Sequence, residues 1–129
     1  MDATQALREL MELSSQITAA VVLDAEGTVL AGAPDDSAAP TMLAATTIEL
    51  ISTAADLGAD GRDVRRVEVE LEDGAVFVVR EGGRTIGAVT GPKPTSGLVV
   101  YDLRTCVQAI ETAEPKKRRS ARKPKEPSE

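Results

Sequence analysis

The chain contains no histidine and no tryptophan, and one residue each of cysteine, phenylalanine and tyrosine. Without histidine there is no Ser-His or Cys-His nucleophile pair, and the imidazole ligands of most metal sites are missing. Two rings, Phe77 and Tyr101, cannot build the stacking platform on which single-stranded nucleic acid is read. The lone thiol, Cys106, can close no internal disulfide, which fits a reducing compartment, and the expected location is the cytoplasm. Long apolar runs are absent as well. The longest uncharged stretch, Ser37 to Ile48, is interrupted by Pro40, so no transmembrane segment is expected. Arg8, Glu9 and Glu12 stand where a secretory signal would need an apolar core.

What is present is charge, unevenly divided. Residues 1–113 carry 18 acidic and 8 basic side chains, a formal −10, whereas residues 114–129 carry 7 basic and 3 acidic, a formal +4. An acidic body repels nucleic acid and anionic surfaces, while the tail attracts them. The tail also has three prolines and no aliphatic residue beyond Ala121. It cannot repay the entropy of ordering, so residues 113–129 are expected to be a disordered basic segment following one domain over 1–112. Its candidate electrostatic contacts are Lys116, Lys117, Arg118, Arg119, Arg122, Lys123 and Lys125. They serve either as a salt-sensitive tether or only to keep the chain soluble.

Hydrophobic periodicity divides the domain into eight elements. Ala3, Leu7, Leu10 and Met11 recur at helical spacing, which predicts a helix over Ala3–Leu13. Ile17–Leu23 and Thr28–Ala31, separated by Asp24-Ala25-Glu26-Gly27, read as a hairpin with Asp24 and Glu26 on turn duty. A loop follows, with Asp36 or Ser37 as cap for a long helix from about Ala39 to Leu57 that stops at Gly58. That helix has a face of Leu43, Thr47, Leu50, Ala54 and Leu57, and a second flank of Ala44, Ile48, Ile51, Ser52 and Ala55. Glu49 and Asp56 are its only charges. A surface helix usually keeps a charged outer face. This one is either covered on two sides or filled cheaply with alanine.

After a turn at Asp60–Asp63, Val67, Val69 and Leu71 alternate with Arg66, Glu68 and Glu70, a half-buried strand. Asp73-Gly74 signals a hairpin into Ala75–Arg80. Val76 and Val78 fall on one face of that strand, and Phe77 and Val79 on the other. Gly82-Gly83 turns the chain into a fifth strand, Thr85–Thr90, and Gly91-Pro92-Lys93-Pro94 ends the sheet. Ser96 is expected to cap a last helix with Val99, Leu103, Cys106 and Ile110 inward, although Leu98–Tyr101 alone would also suit a strand. Tyr101 then points away from the buried stripe, as a contact residue or as a ring across the rim of the core.

No catalytic, cofactor or metal residue emerges. Gly87–Lys93 lacks the spacing of a phosphate loop, and Pro92 and Pro94 remove backbone donors such a loop needs. Asp35-Asp36 and Asp60/Asp63 lack the alternation of a calcium loop. Cys106 lies on an apolar stripe, where a thiol acts as a small hydrophobe.

The stretch Ile17-Thr-Ala-Ala-Val-Val-Leu-Asp-Ala-Glu-Gly-Thr-Val-Leu-Ala31 resembles the first hairpin of the Roadblock/dynein light chain family. The uncharged second helix, the strand at Val64–Leu71, Gly83–Val89 and Ser96–Arg104 extend the resemblance over about residues 3–112. It implies an α+β fold of order αββαβββα, a five-stranded antiparallel sheet flanked by helices in a profilin-like layout. It also implies a homodimer formed through the second helix and third strand, and a bacterial type of non-enzymatic module that binds and regulates a small Ras-like GTPase. The contacts carried over are Ala44, Ile48, Ile51, Ser52, Ala55, Arg66, Val67 and Glu68. Two other functions fit a domain of this size: a structural, self-assembling scaffold, and a small-molecule sensor of the profilin, GAF or PAS kind. The sensor would need a ligand pocket.

Overall fold

The computed structural model describes residues 1–34, 38–57 and 64–110. The expected cap at Asp36 or Ser37, the stop at Gly58, the turn at Asp60–Asp63 and the basic tail lie outside the described residues. Within them the order is α1 (Ala3–Leu13), β1 (Ile17–Leu23), β2 (Val29–Ala33), α2 (Ala39–Leu57), β3 (Arg66–Leu71), β4 (Gly74–Glu81), β5 (Arg84–Thr90) and α3 (Ser96–Ala109). This is the expected αββαβββα order. The strands form one antiparallel sheet in the order β2-β1-β5-β4-β3, with β2 and β3 at its edges.

Local chemistry accounts for the element ends. Asp2 caps α1 by accepting the Gln5 N–H at 2.8 Å, which satisfies a donor that the first turn leaves open. Asp24 Oδ1 accepts the N–H groups of Glu26 and Thr28, both at 2.9 Å, and closes the β1–β2 turn. The β4–β5 turn is Gly82-Gly83, both at positive φ, the combination a two-residue reversal needs to match strand twist.

Two expected details differ. The β3–β4 loop is Glu72-Asp73, because Leu71 pairs directly with Gly74. Gly74 is therefore the first residue of β4, in a place where a Cβ would strike the Thr90 carbonyl. Its role is close approach, not positive φ. At α3 the N-cap residue is Thr95 and makes no side-chain cap bond. Ser96 is instead the first helical residue, and its hydroxyl donates to Glu68 Oε2 at 2.8 Å.

The sheet has a core on each side. Leu7, Leu10, Val99, Leu103, Cys106 and Val107 from α1 and α3 pack on Ala20, Val22, Phe77, Val79, Ile86 and Ala88. On the other face Leu43 and Ala44 of α2 pack on Ala19, Val21, Leu23, Val76 and Val78. β4 separates its faces as its alternation implies, with Phe77 and Val79 in one core and Val76 and Val78 in the other.

α2 seats on the sheet through Thr47, which is fully buried. A Cβ on Gly87 of β5 would overlap the Thr47 hydroxyl and sit 3.2 Å from its Cβ, so glycine sets the helix-to-sheet distance. Gly87→Ala is expected to cost about 1–3 kcal/mol by overpacking, measured by urea unfolding. Adding Thr47→Ala should recover more than half of that loss, since the two residues share one contact. Strictly additive losses would show that the contact does not set the spacing.

Candidate interaction surface

α2 alone occupies its face of the sheet and lies mainly over β1, β5 and β2. Its 19 residues span about 28 Å at helical rise. Leu43, Ala44 and Thr47 are buried beneath it, while Leu50, Ile51 and Ala54 are half-buried. The outward side carries Met42 (69% exposed), Ala45, Ile48 (46% exposed), Ser52 and Ala55. Glu49 and Asp56 are the charges beside them.

The eight candidate contacts therefore divide. Ile48, Ser52 and Ala55 are on the exposed flank. Ala44 is not: at 6% exposure it belongs to the core against the sheet. Ile51 packs partly against the same core. The face assigned to Leu43, Thr47, Leu50 and Ala54 is the inward one, and Leu57 departs from it at 82% exposure.

Arg66, Val67 and Glu68 lie on β3, an edge strand. Val67 and Val69 are half-buried on the α2 side, and Leu71 is 49% exposed there. Arg66, Glu68 and Glu70 face the other side, where Glu68 accepts from Ser96. The uncovered flank of α2 and the apolar shelf on β3 thus share one face of the molecule. The sequence did not show a recess of about 230 Å³ between the β1–β2 turn and α2. Asp24, Gly27, Ile48, Ile51 and Ser52 line that recess. It is smaller than the roughly 300–1,000 Å³ usual for ligand pockets.

α3 presents Leu98 and Tyr101 outward, Tyr101 at 66% exposure, on the opposite side from α2. Sequence reasoning also missed a set of arginines, Arg65, Arg66, Arg80 and Arg104, that the fold gathers at one end of the sheet. They are 39 positions apart at the extremes, and only strand pairing and the seating of α3 bring them together. Among the described residues no group of three or more His, Cys, Asp or Glu is placed to hold a metal ion. No helix among them is long and apolar enough to cross a membrane.

The family model of the Roadblock/LC7 domain matches residues 3–90. Among solved structures, the chain is similar to a Roadblock/LC7 domain from Streptomyces avermitilis, at 26% identity and a TM-score of 0.71. That match covers 84% of this chain and 94% of the other. It is also similar in fold to the gliding protein MglB of Thermus thermophilus, at 20% identity, 84% of each chain and a TM-score of 0.59. An MglB in a tetrameric arrangement matches at 19% identity, again over 84% of each chain, with a TM-score of 0.60. A search of curated proteins gave no match.

Cys106 is buried in the α1/α3 core. Desolvation, and to a lesser degree the charge of Glu9, push its thiol up to about 11 from an ordinary value of 9.0. A neutral thiol is a poor nucleophile, so labelling by a disulfide reagent at pH 8 should require unfolding. The raised value also fixes a sign. Below about pH 9 the thiol is protonated whether the chain is folded or not, and it adds no pH dependence. From about 9 to 11 the unfolded chain releases the proton first, so stability falls as pH rises, by at most roughly 1.4 kcal/mol per unit. Urea midpoints compared with those of Cys106→Ala should show this extra loss in that window alone. A parallel pair of curves would contradict it.

Proposed function

We infer the function from one premise: the chain belongs to the Roadblock/LC7 domain family. It is a homodimeric interaction module that binds and regulates a small Ras-like GTPase and supplies no catalytic side chain of its own. Residues 1–112 form the module, and the basic segment beyond them is a separable tether for an anionic surface.

The observation that carries this reading is an unfinished face, where the apolar flank of α2 lies beside the uncovered side of edge strand β3. Proteins usually cover or pair such an edge, and a second copy completes it by two-fold symmetry. β3 is self-complementary for this purpose. Arg65 and Arg66 stand at its start, Glu68 and Glu70 lie along it and Glu72 follows it, so antiparallel pairing brings basic ends against acidic ones. With the axis at Val67, Arg66 stands opposite Glu68 of the second copy, twice. An axis at Glu68 would set Glu68 against itself, with Arg66 opposite Glu70. The likeness in fold to MglB, one example of it tetrameric, supports assembly through copies.

In the dimer the paired α2 helices make a broad platform for the GTPase. α2 has no basic residue between Ala39 and Leu57, so it offers no arginine finger, a device worth about 10³–10⁵ in rate. Regulation then works by stabilising one arrangement of the GTPase's own switch segments.

Light scattering at micromolar concentration should give about twice the chain mass, and Ile48→Glu combined with Val67→Lys should give the chain mass with the fold retained. A monomeric parent protein would refute the homodimer. In single-turnover GTP hydrolysis by a Ras-like GTPase from the same genome, the effect of this protein should survive alanine at each of Arg8, Arg62, Arg65, Arg66, Arg80, Arg84 and Arg104. Loss of a large acceleration with binding intact, at any one of them, would identify a finger. If no such GTPase bound, the self-assembling scaffold would become the better reading.

A further inference from the structure

The end of the sheet at which β3 begins and β4 finishes, roofed by α3, holds an open cleft of about 440 Å³. Its lining is Arg65, Arg66, Arg80 and Arg104 with Glu81, over a floor of Val79 and Val100. These are four of the eight basic residues in positions 1–113, gathered with one of the 18 carboxylates. In a body of formal charge −10, such a concentration of one sign is a local reversal of the field.

The placement follows from the fold. Arg66 pairs with Val79 across β3 and β4 and so shares the α3 side of the sheet with Val79 and Glu81. The Arg80 N–H donates to the Arg65 carbonyl at 2.9 Å and ties the two strand ends together. Glu81 accepts from Gln108 at 2.9 Å and lies 3.5 Å from Nε of Arg104. The Gln108 bond, Arg104 and then Arg65 hold its carboxyl below the usual range. Glu81 thus holds the Arg104 guanidinium beside the cleft through Nε.

We propose that this cleft is a binding site for a small soluble anion carrying two or more adjacent phosphate groups. Guanidinium forks match phosphate oxygens bidentately: Arg66 and Arg104 reach the cleft from the α3 side, while Arg65 and Arg80, in phase with Val67, Val76 and Val78, border it from the α2 side of the sheet. The volume lies within the range of ligand sites. The acidic body selects against a large anionic surface, which meets many carboxylates at once. A compact anion in the cleft sees mainly the arginines, since charges farther off than about 8 Å are screened at physiological salt. This site, and not the recess beside α2, is where a sensing role belongs, and it stands whether or not a GTPase is the partner.

The test is calorimetric titration of the full chain with inorganic tripolyphosphate. One anion should bind per chain. Arg65→Gln with Arg104→Gln should weaken binding about tenfold or more, in keeping with the loss of two charge-assisted contacts. Glu81→Gln should tighten it, a gain that misfolding cannot imitate. Glutamine at Lys116, Lys117, Arg118 and Arg119 should leave the cleft affinity nearly unchanged. Arg66 is left intact throughout, since it also lies on the proposed dimer edge. Absent saturable binding, or binding lost with the tail charges and kept in the cleft variant, would overturn the proposal. So would cleft-dependent binding to phosphatidylserine vesicles without binding of tripolyphosphate, which would assign the site to lipid headgroups. Dissociation of a dimer by the cleft substitutions alone would assign it instead to Glu68 and Glu70 of a second copy.

Discussion

A five-stranded antiparallel sheet is about 20 Å across, and one helix with its side chains covers about 10–12 Å of it. Two helices, α1 and α3, suffice for one face of this sheet, but α2 alone must serve the other. Its position is set by the contact between Thr47 and Gly87, which seats it over β1 and β5. Val67, Val69 and Leu71 on β3 then fall at the margin of its cover, and its own outer flank faces away from the sheet. The apolar surface on both helix and strand follows from that mismatch of widths. That exposed apolar surface is what the proposed second copy or partner would cover.

Much of this was legible in the residues. α1, α2, the two hairpins and the two faces of β4 follow from periodicity, because burial on one side of a helix or strand writes its period into the sequence. The bounds of α1 and α2 agree with the expected Ala3–Leu13 and Ala39–Leu57. Turn chemistry was harder to read. Asp73-Gly74 suggests a reversal, yet the glycine is demanded by a carbonyl on another strand, Thr90, which no local pattern announces. Ser96 looks like a cap and is used as a donor to Glu68, 28 positions earlier.

The interaction surface was legible in part. That α2 carries two apolar flanks is visible on its wheel. Which part of a flank reaches the sheet depends on where the helix lands: Ala44 and Ile48, four apart on one flank, differ because Ala44 meets the sheet and Ile48 stays 46% exposed. The arginine cleft was not legible at all. Arg65 and Arg66 open one strand, Arg80 closes another and Arg104 sits in the middle of a helix. The pairing register could place three of the four, but the fourth needs the packing of α3.

Ala75 to Val79 of β4 are all at or below 9% exposure, and their side chains alternate between the two cores. One run of five residues is thus the common wall of both hydrophobic layers, with β5 and β3 bonded along its two sides. Because the two layers share this wall, loosening β4 itself would disturb both at once. Amide hydrogen exchange should therefore find β4 protected up to the global unfolding free energy. A partner that settles on α2 and binds only the folded chain stabilises α1 and α3 as well, without touching them. In that case occupancy of one face would be felt at the other as a change in how often the fold opens, without a change in its resting shape.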